Sequence, residues 1–131
     1  MIIEVMILFN ADIDAGGPTI LVSHNIVKCM DQDKPAFLYE NVHKILRDDL
    51  NFSGVVIIDD LAMDAVKIYV ENGNAAVQAV LAGNDMIISF DFASQKREVL
   101  NSVNDEKISV DLIVIAVRKI LSLKCDYKII T

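Results

Sequence analysis

Three short apolar runs, separated by segments with helical periodicity, constrain the fold of this chain more than any other feature. The runs TILVSH (19–24), GVVII (54–58) and DMIISF (85–90) are rich in β-branched residues and predict strands. Strands that alternate with helices pair in parallel through right-handed crossovers. The sequence therefore predicts an α/β fold in which three parallel strands and their helices form a single domain over residues 1–131.

The segments between the runs carry apolar residues three and four positions apart, the spacing of one helix face. Val42, Ile45 and Leu46 show this spacing, and Gly16 and Gly17 before Pro18 end the first such segment. A polar loop is expected over 25–37. The predicted helices are 4–15, 39–50, 61–69, 75–81, 94–103 and 110–123.

The hydrophobic content of the chain is high, at 53%, and the mean hydropathy is +0.42. A membrane helix needs roughly 18 apolar residues in a row, and the longest candidate, ISVDLIVIAV, is interrupted by Asp111. The N-terminal MIIEVMILF contains Glu4 and no preceding basic residue, so it does not resemble a signal peptide. We therefore expect no membrane partner, and strands buried on both faces, as is typical of parallel sheets.

The net charge of −7 disfavours nucleic acid as a partner, because phosphate backbones are repelled. Cys29 and Cys125 form no CxxC pair, which favours core thiols in a reducing, cytoplasmic compartment. Asp31 and Asp33 lack the glycine and glutamate of an EF-hand loop. Nucleotide-binding glycine motifs and GxSxG are also missing. No cofactor and no metal ion are expected.

Each predicted strand ends on polar or ionisable residues, at the edge where α/β folds place their sites. The ends are Ser23-His24, Asp59-Asp60 and Phe90-Asp91. Two interpretations stay open at this point. Asp59 or Asp60 could face a cleft, but an aspartate after a strand is also a common helix N-cap. His24 could be catalytic or simply hydrogen bonded within the structure.

Several segments resemble glycoside hydrolase family 3, in its β-N-acetylhexosaminidase branch. LRDDLNFSGVVIIDDLAM (46–63) is similar to the family pattern LR-x-E-L-G-F-x-G-V-V-x-[ST]-D-D-L-x-M. Four further segments agree with the family in the same order along the chain: FNADIDAGGPTILVSHN, DQDKPAFL, AAVQAVLAGNDMII and VRKILSLK.

The resemblance implies that Asp59, four residues before Met63, is the catalytic nucleophile of a retaining glycosidase. It implies further that His24, Asp60 and Met63 contact the sugar, a β-linked amino sugar or glucoside. The fold that it implies is a partial (β/α)8 TIM barrel. These residues would supply the last three parallel strands with their flanking helices, the C-terminal portion of the family's catalytic barrel.

The chain also departs from the family pattern. Ile58 replaces a serine or threonine beside the nucleophile, and Phe37 and Tyr39 replace hydroxyl residues, which weakens a helix cap. The loop that carries the acid/base histidine of this branch has no counterpart, and neither His24 nor His43 matches it. His43 is expected on the solvent-facing side of its helix.

These departures leave alternative functions open. The chain could be an inactive half-barrel that serves as an assembly module or persists as a gene remnant. A phosphoreceiver-like domain fits less well, because only one strand precedes Asp59. Because a partial barrel has unpaired edges, we expect a homo-oligomer or completion by the missing barrel half.

Overall fold

A computed structural model describes residues 2–23, 25–26, 35–59 and 75–131. Its centre is a three-stranded parallel sheet in the order β1-β2-β3. β1 pairs with β2 from Thr19 opposite Val55 to Val22 opposite Ile58. β2 in turn pairs with β3, with Ile58 opposite Ile87. This is the predicted α/β arrangement of flanking helices around parallel strands, and it is consistent with a partial barrel.

The described elements follow the predicted order along the chain. They are α1 (Ile2–Asp14), β1 (Thr19–Val22), a 3₁₀ turn (Ala36–Leu38), α2 (Glu40–Lys44), a π-helical turn (Ile45–Asp49), β2 (Val55–Ile58), α3 (Ala75–Ala82), β3 (Met86–Ile87), α4 (Phe92–Asn104) and α5 (Val110–Asp126). The predicted helix 61–69 lies outside the described residues, as does most of the predicted loop. Within the described ranges, no helix is both long and apolar enough to cross a bilayer.

One face of the sheet packs against helices and forms the core. Alternate strand residues point to the same face, and on this face Ile20, Val22, Val56 and Ile58 are buried. On the helical side, the core includes Leu46, Ala76 and Ala79.

The opposite face of the sheet is only partly covered by the described residues. Leu21 lies there with 58% of its surface exposed, and its register partner Ile57 is half-buried. The expected burial on both faces therefore holds for most of the central strand β2 but not for β1. An edge strand has a neighbour on one side only, so less of it is shielded.

Two glycines set the geometry where β1 and β2 begin. Gly16 ends α1 with a φ of 87°, a conformation that residues with a Cβ rarely adopt. At Gly54 a Cβ would lie 2.6 Å from Cζ of the Phe52 ring and would also collide with the Pro18 carbonyl oxygen. The amide of the next residue, Val55, donates to that same carbonyl at 3.0 Å. A side chain at Gly54 would therefore push apart the first hydrogen bond between the strands.

The helix expected over 39–50 changes its winding halfway. It begins after Tyr39, whose side chain makes no capping hydrogen bond. This agrees with the weakened helix cap expected at this position. From Ile45 the backbone widens to a π-turn, in which the Leu50 amide donates to the Ile45 carbonyl at 2.9 Å. Such single wide turns often occur at functional or packing irregularities. Here the turn carries Arg47, whose contacts are described below.

Three expectations are corrected by the structure. β3 spans Met86–Ile87 and not 85–90, because its pairing with β2 ends where Ile87 lies opposite Ile58, the last residue of β2. Cys125 is exposed, since it lies near the end of α5, a helix without buried residues. Cys29 lies outside the described residues. His43 is 5% exposed and therefore does not face solvent; the reason lies in a contact that is distant in sequence.

Candidate functional site

Asp59 lies at the carboxyl end of the central strand. It directly follows Ile58, whose side chain is fully buried, whereas Asp59 itself is exposed. Successive strand residues point in opposite directions. This alternation explains why Asp59 is exposed although its neighbour Ile58 is buried in the core. Asp59 also makes an interaction within the structure. This placement is the one that parallel α/β folds use for reactive groups.

The end of β3 lies beside the end of β2. The Ile88 amide donates to the Ile58 carbonyl at 3.0 Å, which brings the residues after Ile88 to the edge that carries Asp59. Phe90, with 90% of its surface exposed, and Asp91, also exposed, follow there. Among the described residues, exposed Asp59, Phe90 and Asp91 thus follow the ends of these two strands.

The remaining residues predicted for the site are not described. His24, Asp60 and Met63 all lie outside the described ranges, so their roles stay predictions. Ser23, at the end of β1, is exposed, and its Oγ accepts a hydrogen bond from the Asn25 amide at 3.3 Å. That bond belongs to the local turn.

A buried charge cluster lies at the opposite, amino edge of the sheet. The carboxylate of Asp85, whose side chain is 5% exposed, pairs with Arg47 Nη2 at 2.6 Å and with Lys119 Nζ at 2.9 Å. It also accepts from the Val56 amide at 2.9 Å. These contacts tie the π-turn, the central strand and α5 to the residue that precedes β3. We call this group, Arg47 with Asp85 and Lys119, the amino-edge clamp.

Arg47 also organises the entry to the central strand. Its Nη1 donates to the carbonyls of Phe52 at 2.8 Å and Gly54 at 2.7 Å, and the guanidinium lies 5.3 Å from the centre of the Phe52 ring. A guanidinium offers donors in several directions at once, which suits such a bridging position. The clamp unites three separated family-like segments, and sequence reasoning did not assign it.

His43 is held inside the protein by a partner 41 residues along the chain. Asn84 Nδ2 donates to the Ala79 carbonyl at 2.7 Å, which leaves Asn84 Oδ1 to accept from His43 Nε2 at 3.0 Å. A Cβ on Gly83 would lie 3.2 Å from the imidazole ring, so the glycine makes room for it. The histidine therefore has a packing role, and the expected solvent-facing position is wrong.

The described residues offer no obvious holder for a metal ion. Among 2–23, 25–26, 35–59 and 75–131, His, Cys, Asp and Glu side chains do not gather in threes with ligand geometry. A cavity of about 580 Å³ opens at the amino edge, beside Pro18, Gly54 and α5. This cavity lies at the opposite end of the strands from Asp59.

Comparison with known proteins identifies the family of this chain. Residues 3–123 match the family described as the glycosyl hydrolase family 3 N terminal domain. A curated relative, a β-hexosaminidase of Nitrosomonas eutropha, is 32% identical over 103 residues, which cover 79% of this chain and 30% of that protein.

Solved structures superpose well on the chain. A family 3 β-N-acetylglucosaminidase from Paenibacillus sp. gives a TM-score of 0.79 at 33% identity, over 88% of this chain and 23% of that one. A β-N-acetylhexosaminidase from Beutenbergia cavernae gives 0.79 at 28% identity, over 88% and 36%. The resemblance stated from the motifs is thus confirmed, and the chain spans about a third or less of these relatives. It belongs to glycosyl hydrolase family 3, within the family's N-terminal domain.

Proposed function

We propose that Asp59 is the nucleophile of a retaining β-N-acetylhexosaminidase and that this chain carries it without the acid/base group. The observation that supports this best is the exposed carboxylate directly after the central parallel strand, inside the range matched by the family. The two similar solved proteins are named for action on N-acetylated hexosides. We extend that substrate class to this chain.

The proposed chemistry has two steps. The Asp59 carboxylate attacks the anomeric carbon, the glycosidic bond breaks, and an aspartyl ester of the sugar forms. Water then cleaves the ester and restores the carboxylate. His24, Asp60 and Met63 are proposed to contact the sugar at the same edge.

The acid/base group of a retaining glycosidase contributes to both steps. A general acid protonates the departing oxygen and later activates the water, each contribution being about 10²–10⁴-fold. Without it, both formation and hydrolysis of the ester slow down. A substrate with a very good leaving group bypasses the first requirement but not the second, so the ester should accumulate.

The test of this proposal is a search for that ester. Incubation with 2,4-dinitrophenyl N-acetyl-β-glucosaminide is expected to raise the mass of the chain by one N-acetylhexosaminyl group. Peptide mapping by mass spectrometry should place the added mass on Asp59. A protein that remains unlabelled, or that is labelled elsewhere, would contradict the assignment.

We further propose that the sheet is part of a (β/α)8 barrel and that a second copy or the remaining barrel half covers its open side. The support is the sheet face opposite the core, where Leu21 is 58% exposed. Patches of this kind mark association surfaces in soluble proteins. The alternative function, an assembly module without catalysis, uses the same surface.

Light scattering tests the association directly. The purified chain is expected to have a mass of at least twice 14.5 kDa. Leu21→Lys, which places a charge on the open sheet face, should shift the species toward monomer, since burying an unpaired charge is unfavourable. Lys128→Glu, at the exposed C-terminal end, serves as the control. A stable monomer of the unchanged chain would exclude a second copy as the covering element.

A further inference from the structure

An exposed aromatic ring follows β3, at the same end of the sheet at which Asp59 follows β2. Phe90 has 90% of its surface exposed, more than any other large hydrophobic residue of the described ranges. Phe90 also makes an interaction within the structure, but that interaction leaves most of the residue accessible. An aromatic ring gains free energy when it leaves water, so this ring is suited to meet a ligand.

The strand register brings Phe90 near Asp59. Ile58 lies opposite Ile87, and one further step along the register sets Asp59 beside Ile88. Neighbouring strands lie about 4.8 Å apart, and the two residues from Ile88 to Phe90 span at most about 7 Å. The Cα atoms of Asp59 and Phe90 therefore lie within about 12 Å of each other. One sugar unit held between the two side chains can span this separation.

Both side chains also lie on the side of the strands that faces away from the core. Ile58 packs into the core, so Asp59, as the next residue, points away from it. On the neighbouring strand end the exposure alternates in the same way. Ile88 is exposed, the Oγ of Ser89 is buried, and Phe90 is exposed again. The carboxylate of Asp59 and the ring of Phe90 are thus open to the same solvent region.

The charges near the ring indicate which kind of molecule it meets. Asp59 and Asp91 are both exposed, and Asp91 makes no side-chain capping hydrogen bond although it is the N-cap residue of α4. A protein interface over Phe90 would remove these carboxylates from water, and interface centres are depleted of such charges. A sugar instead brings hydroxyl donors for the carboxylates and an apolar C–H face for the ring.

We propose that Phe90 is a substrate-binding residue whose ring packs against the C–H face of the N-acetylated sugar at Asp59. This inference rests on the function proposed above, because Asp59 defines where the sugar lies. The face of an aromatic ring is electronegative. It attracts the C–H groups of a sugar, which are polarised by the neighbouring oxygens. The Asp91 carboxylate then accepts a hydrogen bond from a hydroxyl of the same substrate.

The β-linked disaccharide of N-acetylglucosamine is the probe, because a chain without an acid/base group should bind it without cleaving it. In ¹H–¹⁵N spectra of the 131-residue chain, it should cause saturable shifts at the amides of Ile88 and Phe90. Phe90→Ala is expected to weaken binding about three- to tenfold, the effect of one aromatic contact. Phe90→Leu keeps an apolar side chain without a flat ring and should weaken binding similarly. Phe90→Tyr should bind like the unchanged chain.

Tyr127→Ala is the control for these variants. It also removes an exposed ring, but one that follows Asp126, which lines the cavity at the amino edge. Its affinity for the disaccharide should equal that of the unchanged chain. The proposal is overturned if the unchanged chain shows no saturable shifts, or if Phe90→Ala binds as tightly as the unchanged chain. Equal binding with a lower mass of Phe90→Ala in light scattering would assign the ring to the association surface instead.

A failure of the nucleophile assignment gives a different result. In that case no sugar ester forms on Asp59, but disaccharide binding still depends on Phe90. If instead the ester forms and binding is insensitive to Phe90→Ala, only the role of the ring is refuted.

Discussion

Replacing Asp59 by alanine is expected to lower the release of 2,4-dinitrophenol from its N-acetyl-β-glucosaminide by about 10³-fold or more, the scale of losing a nucleophile in other enzymes. The dinitrophenolate leaves readily without protonation, so this substrate isolates the step that Asp59 is proposed to perform. The measurement is the absorbance of the released phenol under single-turnover conditions, with enzyme in excess.

The matching control is Asp105→Ala. It removes another exposed carboxylate, one that lies directly after α4 and pairs with Lys107 at the surface. Its rate should equal that of the unchanged chain. A methyl glycoside, whose alkoxide needs a general acid, should react with neither protein. Equal rates for Asp59→Ala and the unchanged chain would favour the non-catalytic assembly module.

Replacing Asp85 by alanine is expected to lower the free energy of unfolding by about 3 kcal/mol. Removing one partner of a buried ion pair costs roughly 3–5 kcal/mol, because the remaining charge is left uncompensated. We take the lower end, since the side chains of Arg47 and Lys119 retain 23% and 25% exposure and can partly rehydrate. The substitution also removes the acceptor of the Val56 amide.

Urea unfolding followed by circular dichroism, at one fixed chain concentration, measures this effect. The control is again Asp105→Ala, because its ion pair with Lys107 at 3.5 Å is exposed on both sides. Such surface pairs contribute about 0–1 kcal/mol. A similar loss for the two variants would show that the amino-edge clamp is not a stabilising centre.

The strand and helix pattern could be predicted because it depends on local properties. Runs of β-branched residues mark Thr19–Val22 and Val55–Ile58, and helical spacing marks Val110–Asp126, whatever the rest of the chain does. The length of β3 depends on a second strand. Met86 and Ile87 find ladder partners in β2, whereas Ser89 and Phe90 do not, although all four residues suit a strand.

Tertiary contacts could not be predicted in the same way. The helical spacing around His43 does not predict that Asn84 accepts a hydrogen bond from the imidazole or that Gly83 leaves room for the ring. For the amino-edge clamp the sequence did hold a clue, because Arg47, Asp85 and Lys119 each lie in a segment that resembles the family. The segments do not show that these three side chains pair with one another, because the pairing forms only in the folded chain.

The candidate site is partly accessible to sequence reasoning. A carboxylate after a buried run can be assigned to the carboxyl edge from strand geometry alone, and Asp59 is found there. The choice between capping and catalysis needs the family resemblance.

The amino-edge clamp also has a consequence for biosynthesis. Arg47 leaves the ribosome first, Asp85 follows 38 residues later, and Lys119 another 34 residues after that. At a synthesis rate of about 5–20 residues per second, Lys119 is made roughly 2–7 s after Asp85. The final helix is therefore anchored to the sheet only when translation of this region is nearly finished.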